Sequence, residues 1–174
     1  GLVLVLDRSL AADPDAELPE GLLDALETAY HASNDSVGLA RLTRVRLRKV
    51  EGSDRMALLQ TLGTLIDQGG GTSAESLDAW GALLALDGEA SHALERVLDL
   101  SGQSELGIHA GELLSAAVKA GADAGHVSAG LCLATANLWL EQLGHAQQAA
   151  TALQPLLDEQ PEHGEALSLL VGIQ

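Results

Sequence analysis

The sequence predicts an all-α fold, an α-solenoid of about ten helices stacked as antiparallel pairs, and three observations point to it. The first is the apolar material. Hydrophobic residues make up 47% of the 174, yet there is no Phe, one Tyr and only two Trp. The core must therefore come from Leu, Ala and Val, which suit helix–helix contact better than a sheet built from β-branched and aromatic side chains. The second is the lack of strand-like alternation outside the short run Leu2-Val3-Leu4-Val5-Leu6. The third is an internal period. Residues 76–84 read against 149–157 at an offset of 73, and the match continues through Gly88-Glu89 against Pro161-Glu162 and Ala93-Leu94 against Ala166-Leu167. Upstream, 58–67 read against 132–141 at an offset of 74, and 24–27 against 92–95 at 68. Such offsets are close to two helix-pair units of about 34 residues.

The elements follow in order. Residues 2–12 read as a helix stopped at Asp13-Pro14, because proline disfavours helical backbone in the residue before it. Pro19 suits the first turn of the next helix. Asn34-Asp35-Ser36 offers capping oxygens ahead of a helix over 37–50, Ser53-Asp54 ahead of one over 55–68, and Thr72-Ser73 ahead of one over 74–86. Gly69-Gly70-Gly71 takes the turn between the last two. Gly102, Gly121, Gly125 and Gly144 punctuate the second half, and 165–173 form the final helix. Short connections make sequential helices antiparallel neighbours. The helix-internal Gly63, Gly81, Gly111 and Gly130 each cost about 1 kcal/mol against Ala. Two explanations stay open for them: close backbone approach at pair interfaces, or drift in an Ala- and Gly-rich composition.

Residues 130–163 resemble a tetratricopeptide repeat along all 34 positions. Leu133 and Ala136 match first-helix core sites, Gly144 the turn, Ala149 the small site of the second helix, Leu153 and Leu156 its large buried sites, and Pro161 the stop. Residues 56–89 match at Leu59, Leu62, Gly63, Ile66, Ser76, Trp80, Leu83 and Gly88. Asn137 departs from the small residue usual in the family, and Leu140 from its aromatic. The resemblance implies a right-handed superhelix divided into a truncated repeat over 1–17, a loose repeat over 18–52, a repeat over 53–89, a loose repeat over 90–127, a repeat over 128–163 and a truncated repeat over 164–174. The chain would then be a fragment of a larger bacterial-type protein, with uncapped ends able to self-associate. It further implies a concave face lined by the first helices, across 58–68 and 131–142, that holds a protein or peptide. Asp67, Gln68, Asn137, Glu141 and Gln142 are the candidate partner-binding residues there. Family members that grip a carboxylate terminus use Lys, Arg and Asn; with only Asn137 matching, this groove suits a neutral or basic segment.

Charge and motifs bound the chemistry. A net charge of −16 argues against nucleic acid, since phosphate binding needs a positive field. Six of the nine basic residues crowd into 41–55, and Arg41, Arg44 and Arg48 share a narrow helical ridge. That ridge is a second candidate site, for an acidic partner; its plain alternative is a solvated face or one paired to neighbouring acids. Phosphate-loop, dinucleotide-fold and His-Glu-x-x-His signatures are missing. None of the six histidines has the i, i+3 or i, i+4 spacing of paired metal ligands. The lone Cys132 reads as a small buried hydrophobe, and a single cysteine favours, without fixing, the cytoplasm. No stretch reaches the roughly 20 apolar residues a membrane helix requires. The expectation is a non-enzymatic interaction scaffold without cofactor or metal, the alternatives being a structural spacer or oligomerisation module, or the regulatory arm of an enzyme whose catalytic domain lies elsewhere.

Overall fold

A computed structural model describes residues 19–103 and 105–173, together with Val5 and Arg8. Apart from those two residues, the helix expected over 2–12 lies outside that set. The described residues form nine α-helices and no strand: α1 (Glu20–Ser33), α2 (Ser36–Leu47), α3 (Gly52–Leu65), α4 (Ser73–Leu86), α5 (Ser91–Ser101), α6 (Gly107–Asp123), α7 (Ala129–Asn137), α8 (Ala146–Glu159) and α9 (Gly164–Ile173). They pack as sequential antiparallel pairs. The chain divides into two compact units, residues 1–76 and 77–174.

In the first unit, Leu23, Leu26 and Tyr30 of α1 recur at helical spacing and bury against Leu39, Leu42 and Val45 of α2. Asn34 ends α1 in the left-handed region at φ 51°, a conformation asparagine tolerates. Asp35 then caps α2, its carboxylate accepting the Gly38 N–H at 2.9 Å, as expected of that tripeptide. Gly38 has a second role: a Cβ there would stand 2.5 Å from the Tyr30 ring, so the missing side chain sets how closely the two helices approach. Arg46 fastens the pair from outside, reaching Asp24 at 2.8 Å and Glu27 at 2.9 Å.

Several helix boundaries differ from expectation, two of them for a visible reason. The second helix stops at Leu47 rather than residue 50, where the Arg55 guanidinium donates to the Leu47 carbonyl at 2.7 Å and occupies one of the terminal acceptors. The third begins at Gly52 after an extended Glu51, so Ser53 and Asp54 lie inside its first turn and do not cap it. Asp54 still favours the positive end of the helix.

The first helices of both well-marked repeats end in a single widened π turn, Ile66–Gly70 after α3 and Leu138–Gln142 after α7. At the first, Gly69 takes φ 100° and a Cβ on Gly70 would meet the carbonyls of Leu65 and Ser36 at 2.7 Å. That run of glycines is thus a steric requirement as well as a turn. The buried positions of the two repeats coincide at one offset. Leu59, Leu62, Gly63 and Ile66 answer to Cys132, Thr135, Ala136 and Trp139, and Ser76, Ala79, Trp80 and Leu83 to Ala149, Ala152, Leu153 and Leu156. The offset is 73 throughout, so the value of 74 read from residue types in the first helix is corrected by one. Leu133, expected in the core, is accordingly only half-buried, and Cys132 takes the interior position.

Thr72 and Glu75 form a reciprocal cap at the start of α4. The Thr72 hydroxyl accepts the Glu75 N–H at 3.3 Å, and the Glu75 carboxylate accepts the Thr72 N–H at 2.8 Å. Arg44 adds an ion pair at 2.8 Å. The bond from the Thr72 backbone, with the Arg44 charge, holds the Glu75 carboxyl below its usual value against the opposing effect of partial burial. A carboxylate whose folded pKa is depressed stabilises above its unfolded pKa, about 4.3, and loses that contribution as pH falls through the folded value. The melting temperatures of the protein and of Glu75→Gln should therefore differ at neutral pH and converge in acid. A gap unchanged by acidification would show that the carboxylate charge is not its source.

Candidate partner-binding site

The second unit is built on small residues. Along α6, Gly111, Ser115, Ala116 and Ala122 present little bulk, and Trp139 uses the space. A Cβ on Gly111 would lie 2.7 Å from the indole edge. One turn on, the Ser115 hydroxyl accepts the Trp139 Nε1–H at 2.9 Å. His145 meets the ring edge-on at 5.5 Å between centroids. The indole, 6% exposed, is therefore held as a plate against α6.

Over that plate runs an open cleft of about 930 Å³ between α6 and α8. Val118, Trp139 and Ala152 form its floor, and Ala116, Ala122 and Pro155 its apolar walls. Glu112, Lys119 and Asp123 stand along one edge; Gln147, Gln148, Thr151 and Gln154 stand along the other. Lys119 pairs with Asp123 at 2.5 Å. A shallower hollow of about 370 Å³ shares Ala122 and Pro155 and carries the cleft on to Asp158 and Glu159. Beyond the other end, Ile108, 56% exposed, lies one helical turn before Glu112 on the same stripe of α6. Pro155 sits inside α8. Lacking an N–H, it denies the Thr151 carbonyl the donor that any other residue there would supply, and both residues line the cleft.

The chain matches no family model, no curated protein and no solved structure. Its residues alone carry the reading.

The residues singled out in the sequence fall elsewhere. Asp67 and Gln68 are exposed on the π turn of the first unit, where Asp67 accepts the Ser76 hydroxyl at 2.6 Å. In the second unit Asn137 is half-buried, its Oδ1 enclosed and without a hydrogen-bond partner among the described residues. Glu141 and Gln142 are exposed on the π turn that follows, with Gln142 accepting weakly from Ser101 at 3.4 Å. None of these five lines the cleft. In the basic ridge, Arg44 is engaged with Glu75, Arg41 is half-buried and Arg48 exposed. The cleft lies between α6 and α8; of the ranges 58–68 and 131–142 where a groove is expected from the sequence, it takes Trp139 alone into its lining. Gly111, marked in the sequence as a helix-internal glycine, was one signal for it; Pro155 within a helical run was another.

The remaining reactive groups are placed without convergence. Burial, the main cause, pushes the Cys132 thiol up to about 11, so it is protonated at neutral pH and a poor nucleophile. His109 bonds Asp78 at 2.6 Å on the surface. Among the described residues no three His, Cys, Asp or Glu side chains could share a metal ion, and no helix is long and apolar enough to cross a membrane.

Proposed function

We propose that the chain is a non-enzymatic interaction scaffold, a solenoid segment of tetratricopeptide type that holds a peptide or protein segment in the α6–α8 cleft. The observation that carries this is the fixed indole floor with apolar walls and a polar rim, the make-up of a recognition groove. Support for the solenoid comes from the second unit, where α6 packs on both α7 and α8 and α7 on both α8 and α9, as stacked repeats do. The common offset of 73 in buried positions supports the repeat.

The test is selection from a displayed random-peptide library, with binding then remeasured on Ala116→Phe and Thr151→Phe. Both positions are exposed, so the added rings fill the cleft without entering the core. Selected peptides should bind the parent protein and lose at least about tenfold in affinity, about 1.4 kcal/mol, to each variant. Failure to select any peptide, or equal binding by the filled variants, would overturn the reading.

A further inference from the structure

Resting on the proposal that the α6–α8 cleft receives a peptide, we infer its chemical class: a cationic amphipathic segment that lays an apolar side chain on Trp139 and directs Lys or Arg to the rim. Charge complementarity carries this. The cleft and its continuation are bordered by Glu112, Asp123, Asp158 and Glu159, against Lys119 alone. Lys119 is already paired with Asp123, and Asp158 accepts from Gln154 at 2.7 Å. The rim is thus rich in acceptors. An ammonium or guanidinium supplies donors and no acceptors, the complement of such a border. An acidic or carboxylate-terminated segment would face Glu112, Asp158 and Glu159, with Lys119 already committed to Asp123.

The cleft also resembles the grooves that accept one face of a helix. Its floor and the continuing stripe to Ile108 follow α6 over several turns, so anchors at i, i+3 or i+4 and i+7 of a bound helix would fall along it. The whole chain is acidic, so general attraction must be separated from recognition at this site.

The probes are three fluorescein-labelled helical peptides with one Leu face and a polar face of Lys, Gln or Glu. The Lys peptide should bind at least about tenfold tighter than the Gln peptide, lose affinity as salt rises, and leave the Glu peptide weakest. Neutralising the rim (Glu112→Gln with Asp158→Asn and Glu159→Gln) should erase most of the Lys preference. Neutralising Glu20, Glu51 and Asp54, three acids that do not line the cleft, should leave it intact. Equal binding of Lys and Gln peptides overturns the cationic class while leaving a peptide groove standing. An equal loss from the variant of Glu20, Glu51 and Asp54 overturns it too, by making the attraction diffuse. If no peptide binds, or Ala116→Phe leaves binding untouched, the groove itself fails and the inference with it.

Discussion

Replacing Leu153 by Ala should destabilise the second unit by about 2–5 kcal/mol, the cost of a cavity where a large core side chain stood. Leu153 is fully buried, as are Leu156 and Ala149 on the same face of α8. Its position answers to Trp80 at the common offset, so Trp80→Ala should cost about 3–5 kcal/mol by the same mechanism. Trp80 is 1% exposed and meets His92 edge-on at 5.2 Å, contacts that a smaller side chain cannot replace. Urea unfolding of each variant gives the numbers. A loss below about 0.5 kcal/mol for Leu153→Ala, typical of surface changes, would mean the position is not a core site.

The second large effect has the opposite sign from what helix propensity alone dictates. Gly→Ala within a helix should gain up to about 1 kcal/mol. At Gly130 a Cβ meets nothing within 4 Å, and Gly130→Ala should realise part of that gain. At Gly111 the Cβ would press on the Trp139 ring at 2.7 Å. The indole is buried and bonded to Ser115, so it cannot swing aside as a flexible chain end could. Overpacking of this kind costs about 1–3 kcal/mol. Gly111→Ala should therefore be net destabilising, while Gly130→Ala is neutral or stabilising. Equal gains in both would show that the indole yields freely, and the rigid floor of the cleft would be lost as an argument.

The contrast between those two glycines measures what could be read without coordinates. Helix class, order and most boundaries were legible, because caps such as Asp35 and Thr72 act over three residues and leave a local signature. The small and large core sites Ala149, Leu153 and Leu156 were legible from the repeat for the same reason. The π turns were not. A single π turn inserts one residue into a helix without a local signature. Matching by residue type in the first helix is equally blind to burial, so it yields an offset of 74 in place of 73 and puts Leu133 where Cys132 belongs. The cleft was beyond reach as well. It depends on which of several small residues on α6 faces a ring more than twenty positions away, and nothing local distinguishes Gly111 from Gly130. Arg44 illustrates the limit for charge: its partner Glu75 is 31 residues distant, a separation at which no helical periodicity speaks.

The chain's three aromatic rings other than histidine are divided unevenly. Tyr30 lies in residues 1–76, whereas Trp80 and Trp139 both lie in residues 77–174. Light absorbed at the red edge of the indole band is therefore taken up only by residues 77–174, and the resulting emission follows that unit alone. Trp139 lies under the cleft, so in Trp80→Phe the whole signal would come from its floor. An unlabelled peptide entering there would change the polarity around the indole and report its own arrival as a change in colour or intensity.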